Sequence, residues 1–565
     1  MNAPVQRTRH GIFILLRRLR APLLVLISVY AVCVLGFTLV PGVTPDGKPW
    51  TMGFLHAFYF VSFLGTTIGL GEIPYPFSDA QRLWATASIY GTVVSWLYSI
   101  GSLFSVLQDP LFRRIMHESG VERAVRRIDV PFYLVCGYDD AGSRVARELS
   151  EDGTRIVVID AAPNRVDTVE VDDLNMSVPA LCGDASDPKT LVLAGLKNEH
   201  CAGVLALTGE DHINTKIALT ARLLNPEVLV LCAARNHASH SRMAAAGSDH
   251  IINSFDTFAE RVAMSIRTPS LHVIYESLTT QRGTPMSEAP QLPRGCWILC
   301  GSGLFSRTLR RQLVRLQIET IVIDPELDAA DVDGTHIRGD PTDPAVLRAA
   351  GVDAATAIVA GTDVDIDNLA ITLAARSANK KIFIVARQTQ RRNTSVFRAA
   401  PSDLVMLSGY VLAAEVLRVI RAPQLATFLR RARDEEEAWA ALLLKRMRKV
   451  IGNDVAESWS VEITPQGAPT VSHLLEAGKS VTLRQIMLRP DAGGALVRAL
   501  PLLLQRGQER ELRPDLDTAL RLGDRILYCG LARARRTMRH SLVDYALPSL
   551  PPPTAKATQA NDPGI

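Results

Sequence analysis

Gly65-Thr66-Thr67-Ile68-Gly69-Leu70-Gly71-Glu72 closes a stretch, residues 49–71, that carries no formal charge beyond a titratable His56 and is ended by Glu72. The stretch is long enough to be taken for a membrane crossing. Its second half argues otherwise, because glycine and β-branched residues weaken a lipid-facing helix and favour irregular backbone, which inside a bilayer must line water or protein. The composition fits a re-entrant hairpin, with a short helix over 52–64 and an extended return over 65–72. Longer apolar runs flank it. Residues 21–40 form an uncharged run of 20, the length a helix needs to cross a hydrocarbon core roughly 30 Å thick. Residues 83–107, uncharged between Arg82 and Asp109, can cross with some tilt. The first run reads as a membrane helix rather than a signal peptide, whose apolar core is shorter and whose cleavage site needs small residues that Leu39-Val40-Pro41-Gly42 does not supply.

Charge sets the topology. The flanks 1–20 and 109–130 hold ten arginines (7, 9, 17, 18, 20, 113, 114, 123, 126 and 127), whereas Lys48 and Arg82 are the two basic residues between the runs. The positive-inside rule then puts both termini in the cytosol and predicts a two-pass protein of the cell (inner) membrane, held in the lipid bilayer by helices 21–40 and 83–107. A third crossing would put the second basic group outside. Over the whole chain, 62 Lys and Arg against 58 Asp and Glu leave too small an excess to point to nucleic acid. The eight cysteines are scattered in no zinc-ligand spacing, so no metal is expected in the soluble part.

Residues 67–72 resemble the selectivity-filter signature of the tetrameric potassium channels, usually Thr-Val-Gly-Tyr-Gly-Asp. The resemblance implies that Thr67, Ile68, Gly69, Leu70 and Gly71 form one filter strand whose backbone carbonyls replace the water around potassium ions. One chain supplies one strand, so the pore would be a homotetramer. Two positions depart from the pattern. Leu70 stands where an aromatic residue is usual and has no hydroxyl to bond the pore helix; Glu72 stands where Asp is usual. These departures keep a nonselective cation channel of the same architecture open. The resemblance also puts Gly91 at the gating hinge of the second helix, with Gly101 as another candidate; close helix packing explains either glycine equally well.

Past residue 130, short apolar runs alternate with amphipathic stretches, as in a doubly wound parallel sheet. The pattern occurs twice. Phe132–Cys136, a turn at Gly137-Tyr138-Asp139-Asp140-Ala141-Gly142 and the strand 156–160 match Trp297–Cys300, a turn at Gly301-Ser302-Gly303-Leu304-Phe305-Ser306 and the strand 321–324. From first glycine to strand-ending aspartate is 23 residues in both halves, and Thr208, Asn214, Ser254 and Pro269 recur at a constant offset of 154 as Thr362, Asn368, Ser408 and Pro423. A duplicated domain accounts for this. The halves resemble RCK domains, the Rossmann-like regulators of potassium conductance, over roughly residues 131–540. The implied fold is an α-helical two-transmembrane pore domain with a re-entrant pore loop, followed by two tandem α/β Rossmann-like RCK domains and a small C-terminal α+β lobe. The expected division is a basic N-terminus 1–20, a pore domain 21–108, a linker 109–130, RCK domains 131–285 and 295–450, a lobe 455–540 and a disordered Pro-rich tail 548–565. Residues 255–267 and 411–430 would be the crossover helices that pair RCK domains, or would bury a face within their own domain. Eight RCK domains under four pore subunits would form a gating ring.

A glycine turn between strand and helix can present amides to a pyrophosphate, and a following carboxylate can bind a ribose hydroxyl. The second half keeps the clearances, giving Gly301, Gly303, Ser306, Asp324, Asp340 and Thr362 as candidates for NAD or an adenine nucleotide. The first half, with Gly137, Gly142, Asp160 and Asp184, has Asp139 where the second glycine belongs, a side chain and a negative charge beside any phosphate, and is the weaker site. The calcium site of a related channel needs carboxylates at positions that are Thr208, Ala233 and Arg235 here, and Gly361, Val385 and Arg387 in the second half, so it is not expected. Asp363–Asn368 lacks the glycine and terminal glutamate of an EF-hand loop and reads as a helix start. The implied function is a ligand-gated potassium channel and not an enzyme. A membrane-tethered NAD-dependent oxidoreductase and a regulatory subunit for a separate transporter stay open as rivals, although no His, Lys or Cys constellation suits hydride chemistry.

Overall fold

The structure is a computed structural model that describes residues 3–69, 71–279, 292–326, 335–452, 456–489 and 495–543. Leu70 of the expected filter and the expected tail 548–565 lie outside the described residues. The chain divides into two units, Met1–Ile128 and Asp129–Ile565.

The first unit is helical: α1 (Ala3–Leu39), α2 (Phe54–Gly65), α3 (Asp79–Leu107) and α4 (Pro110–Arg126). Leu19–Leu39 and Asp79–Leu107 are long and apolar enough to cross a membrane, while α2 is a shorter apolar helix. The α1 backbone continues back to Ala3 through the basic segment, and α4 is helical where a linker was expected. The start of α3 at Asp79 has a local cause. Ser78 accepts from the Gln81 amide and the Gln81 side chain returns to the Ser78 amide, a capping box that satisfies two otherwise unpaired donors. Phe37 of α1, Phe60 and Phe63 of α2 and Phe77 form the centre of the unit, with Phe37 and Phe60 edge to face at 4.8 Å.

The second unit holds two six-stranded parallel sheets. The first contains β1 (Phe132–Cys136), β2 (Arg155–Asp160), β3 (Ala180–Cys182), β4 (Cys201–Ala206), β5 (Leu229–Ala233) and β6 (His250–Ile252), in the spatial order β3-β2-β1-β4-β5-β6. The second repeats that order as β9-β8-β7-β10-β11-β12, from β7 (Trp297–Cys300), β8 (Thr320–Asp324), β9 (Thr335–Arg338), β10 (Ala357–Ala360), β11 (Phe383–Gln388) and β12 (Leu404–Leu407). Central strands such as β1 and β7 are apolar at nearly every position because helices cover both faces. Order reverses between β1 and β4, and between β7 and β10, the switch point where such sheets bind ligands. A four-stranded antiparallel sheet follows, β13 (Glu457–Glu462), β14 (Ala499–Arg506), β15 (Glu509–Leu512) and β16 (Arg525–Gly530), in the order β13-β16-β14-β15.

The helices show how the halves are joined. Relevant here are α5 (Asp140–Glu151), α6 (Ser254–Arg267), α7 (Pro269–Thr279), α8 (Leu304–Arg315), α9 (Ser408–Arg421), α10 (Pro423–Ala432) and α11 (Glu437–Ile451). Each crossover helix buries its apolar stripe on the other half. Phe255, Phe258, Ala259, Val262 and Ile266 of α6 share a core with Phe305, Leu309 and Leu313 of α8. Reciprocally, Ala413, Val416, Leu417 and Val419 of α9 share one with Val145, Ala146 and Leu149 of α5. At about 1.5–3 kcal/mol for each large apolar side chain removed from water, this exchange is core packing. The stretch expected as one amphipathic segment over 411–430 is two helices, because Pro423 lacks an amide donor and holds Ala422 out of helical geometry at φ −148°, ψ 69°.

Candidate ion and nucleotide sites

Three residues after α2 lie in the left-handed region at alternate positions: Thr67 (φ 58°), Gly69 (φ 65°) and Gly71 (φ 88°). Alternation of this kind turns successive peptide groups toward one side of a strand. Glycine adopts it freely; threonine, β-branched, does so at a cost of about 1–3 kcal/mol. The strand hangs from the end of α2, with the Thr67 amide donating to Leu64 O and the Ile68 amide to Phe63 O, each at 3.1 Å. Its far end is held by Glu72, which accepts from the Phe77 amide and from Arg82 Nε, each at 2.8 Å. Gly91 faces α1, where a Cβ would touch Val29 Cγ1 at 3.4 Å, an ordinary contact. Nothing lies within 4 Å of a Cβ at Gly101.

Both Rossmann turns are built alike. Gly137 (φ 102°) and Gly301 (φ 94°) are left-handed, and their amides donate to Ile159 O and Ile323 O at 2.8 Å. Asp160 Oδ2 accepts from the Tyr138 amide, and Asp324 Oδ2 from the Ser302 amide, both at 2.7 Å. Asp160 is buried and lies 3.4 Å from Arg165, whereas Asp324 is partly open to solvent. Asp184 and Asp340 fold back on Ser186 and Thr342 respectively; the Thr342 amide and hydroxyl hold the Asp340 carboxyl below its usual range. Thr208 and Thr362 bond Asn214 and Asn368, whose side-chain amides reach across to Ala233 O at 2.9 Å and Arg387 O at 2.8 Å. Those recurring pairs therefore pin the end of β4 to that of β5 and the end of β10 to that of β11, and the Thr362 hydroxyl is engaged there.

The turns differ where a phosphate would sit. The Asp139 carboxylate accepts from the Ala141 and Gly142 amides at 3.0 and 3.2 Å, so the α5 N-terminus already holds an anion of its own chain. Burial pushes that carboxyl up, against the pull of the Gly142 and Ala141 amides. Gly142 is required here, since a Cβ would lie 1.9 Å from Gly137 O. The α8 N-terminus begins at Gly303, which provides no side-chain cap. Ser306, in the position of Gly142, is buried, and its hydroxyl has no protein partner.

A cleft of about 850 Å³ opens between the halves, on the side of the first switch point. Tyr138, Asp139 and Arg165 line one wall, Arg387, Arg391 and Gly409 the other. Of the second glycine turn, Leu304 lines the cleft. Arg387 is nearly buried, pairs with Asp363, and stacks over Phe255 at 5.0 Å and Phe305 at 5.8 Å. Four thiols of the two parallel sheets are buried and held in the neutral form. Burial pushes Cys232 up to about 11 and Cys201 to about 12, and raises Cys136 and Cys300 as well. Among the described residues no group of three or more His, Cys, Asp or Glu could hold a metal ion.

The family model of the TrkA-N domain matches residues 133–254 and again 297–408, the two parallel sheets with their helices. Residues 133–254 and 297–408 thus form two TrkA-N domains in tandem. The chain is 34% identical over 116 residues to an uncharacterized protein of Methanothermus fervidus, covering 20% of this chain and 18% of that one. It is 25% identical over 172 residues to potassium channel protein 1 of Methanocaldococcus jannaschii, covering 30% of this chain and 50% of that one. The chain thus spans half or less of the length of these curated relatives. Among solved structures it is similar to the GsuK channel bound to NAD, with 17% identity, 94% of this chain and 99% of that chain covered and a TM-score of 0.46.

Sequence reasoning missed several residues that shape the two glycine-turn sites. Phe255 and Arg387 pack on Phe305 in the first turn of α8, and Gly409 lies against Asp140 and Ala141 at the start of α5. The signal was available in part, because the offset of 154 makes Gly409 the counterpart of Phe255 and Ala233 that of Arg387. What it could not supply was that each crossover helix lies on the opposite half.

Proposed function

We propose that this protein is the subunit of a homotetrameric potassium channel of the cell membrane, with both termini cytosolic and eight TrkA-N domains coupling a nucleotide to the pore. The observation that carries the reading is the alternation of left-handed backbone at Thr67, Gly69 and Gly71, on a strand suspended between two helices long enough to cross a bilayer. The carbonyls of residues 67–71 would coordinate potassium, and four copies would close the ring. The TrkA-N domains and the kinship to a protein named as a potassium channel support the same assignment.

The nucleotide binds the second domain. Its diphosphate takes the uncapped α8 N-terminus beside Gly301 and Gly303, and its ribose takes Asp324, an acid that favours an unphosphorylated ribose and hence NAD or an adenine nucleotide. The first domain, capped by Asp139, stays empty. Binding energy becomes gating energy only through differential affinity for two ring conformations, transmitted along residues 109–130. Four sites, each with a tenfold preference, supply about 5.5 kcal/mol, enough to move a mostly closed pore to mostly open. The protein does no chemistry in this reading, and no residue has a catalytic role.

Purified protein in liposomes tests it. Reversal potentials in opposed potassium and sodium gradients, with and without NAD or ADP, should shift with potassium and change in amplitude with one nucleotide. Equal permeability to both ions would replace the reading with a nonselective cation channel, and no cation flux under any nucleotide would overturn it.

A further inference from the structure

Gly65, the last residue of α2, lies beneath side chains of both long helices. A Cβ built on it would fall 2.1 Å from the Tyr30 hydroxyl of α1 and 3.1 Å from Trp96 Cδ1 of α3. Those two side chains are bonded to each other, Trp96 Nε1 donating to Tyr30 Oη at 2.9 Å. A hydrogen bond between α1 and α3 therefore closes over the final turn of α2. The same turn supplies Leu64 O and Phe63 O, the acceptors from which Thr67 and Ile68 hang, so a lateral shift of the turn carries the start of the strand with it. At the other end Glu72 is tied to Arg82 of α3. Between the two anchors, Ile68, Gly69, Leu70 and Gly71 have no side-chain hydrogen-bonding group, so no side-chain hydrogen bond can hold that stretch.

We propose that the Tyr30–Trp96 pair is a positioning clamp that fixes where the strand 67–71 begins and thereby sets its discrimination between potassium and sodium. The inference rests on the pore reading above. Carbonyls can favour one alkali ion over a smaller one only if their spacing resists collapse. The strand borrows that resistance from a bond between its two flanking helices. Gly65 is the residue that lets the pair approach, and the partly buried hydrogen bond is costly to break on one side, because the remaining partner is left unpaired.

Tyr30→Phe, Trp96→Phe and the double variant of the full chain, reconstituted in liposomes, provide the test. Each single change should lower the potassium-to-sodium permeability ratio by about fivefold, the double change should lower it no further than the worse single, and the nucleotide concentration giving half response should stay put. Tyr30→Phe removes a single oxygen atom and decides the matter if Trp96→Phe does not assemble. If the wild type conducts and both single variants keep its permeability ratio, the clamp is wrong while the pore stands. If the wild type passes no cation, both fall together.

Discussion

The two TrkA-N domains share a strand order, a left-handed first glycine, a carboxylate bound to the next amide and a Thr–Asn pin between the ends of β4 and β5 or of β10 and β11, yet the starts of the helices after their glycine turns differ. In the first, the helix is capped by Asp139 and packed at its start against Gly409 of α9; in the second, it starts uncapped at Gly303, with Phe255 and Arg387 packed on Phe305 of its first turn. Duplication preserved what the sheet needs in order to fold and let the anion end diverge, since a Rossmann core stays stable whether or not its phosphate site is used.

Exchanging the cap should have the largest effect. At Gly303 a Cβ would meet only Asp363 Oδ2, at 3.9 Å, so Gly303→Asp fits and gives α8 the cap that α5 has. The new carboxylate takes two amides and repels a diphosphate, and nucleotide affinity of the full-length protein should fall by at least about 100-fold, about 2.7 kcal/mol. Titration calorimetry in detergent reads this directly; undiminished affinity would move the nucleotide away from α8. The reverse change, Asp139→Gly, frees the α5 amides, and bound nucleotide should rise from one to two per chain. A stoichiometry fixed at one would mean that the cap is not what keeps the first domain empty.

Next comes the contact at Gly409. Gly409 meets α5 so closely that a Cβ would lie 3.0 Å from Asp140 Cβ and 3.2 Å from the Ala141 amide nitrogen. Gly409→Ala must push α9 off α5, into which Ala413, Val416 and Leu417 are packed, and should cost about 1–2 kcal/mol. A fall in calorimetric melting temperature with nucleotide affinity unchanged is the expected pattern. A neutral or stabilising result would show that the crossover helices slide against their partners.

Much of this was legible in the chain. The constant offset between Thr208–Asn214 and Thr362–Asn368 reveals the duplication because the pins it preserves are residues the backbone cannot do without. Asp139 stands out in the sequence because it occupies the place of the second turn glycine, and in the structure its carboxylate caps α5. Other features depend on partners distant in sequence. An amphipathic stripe such as Phe255–Arg267 declares that it will be buried without declaring against which half. The contacts of Gly409 with α5, of Phe255 with α8 and of Gly65 with Tyr30 and Trp96 are long-range packing, to which local periodicity is blind. The basic segment before Leu19 and the arginine-rich residues 110–126 were read by charge alone, which says nothing of their helical backbone.

The smallest effect separates the halves by pH. Burial raises the Asp139 carboxyl, so the folded first domain binds that proton more tightly than the unfolded chain does. Its contribution to stability therefore grows as pH falls through the raised range. In the second domain burial also pushes Asp365 up, but bonds from the Asn393 side chain and from Thr389 outweigh it and hold the carboxyl below its usual value. That group's contribution is complete above the unfolded value and is lost as pH falls through the lowered one. Amide-exchange protection, corrected for intrinsic rates and followed from pH 7 down to about pH 2.5, past the ordinary carboxylate range, should hold or rise at residues 140–151 of α5 while it declines over the helix Asp365–Ala378 at the acid end. Asp139→Asn keeps an acceptor for the two amides but has no proton to gain, and should abolish the rise in α5 alone. If both helices lose protection in parallel, and the Asn variant follows the wild type, the buried cap is not the group that distinguishes the two domains in acid.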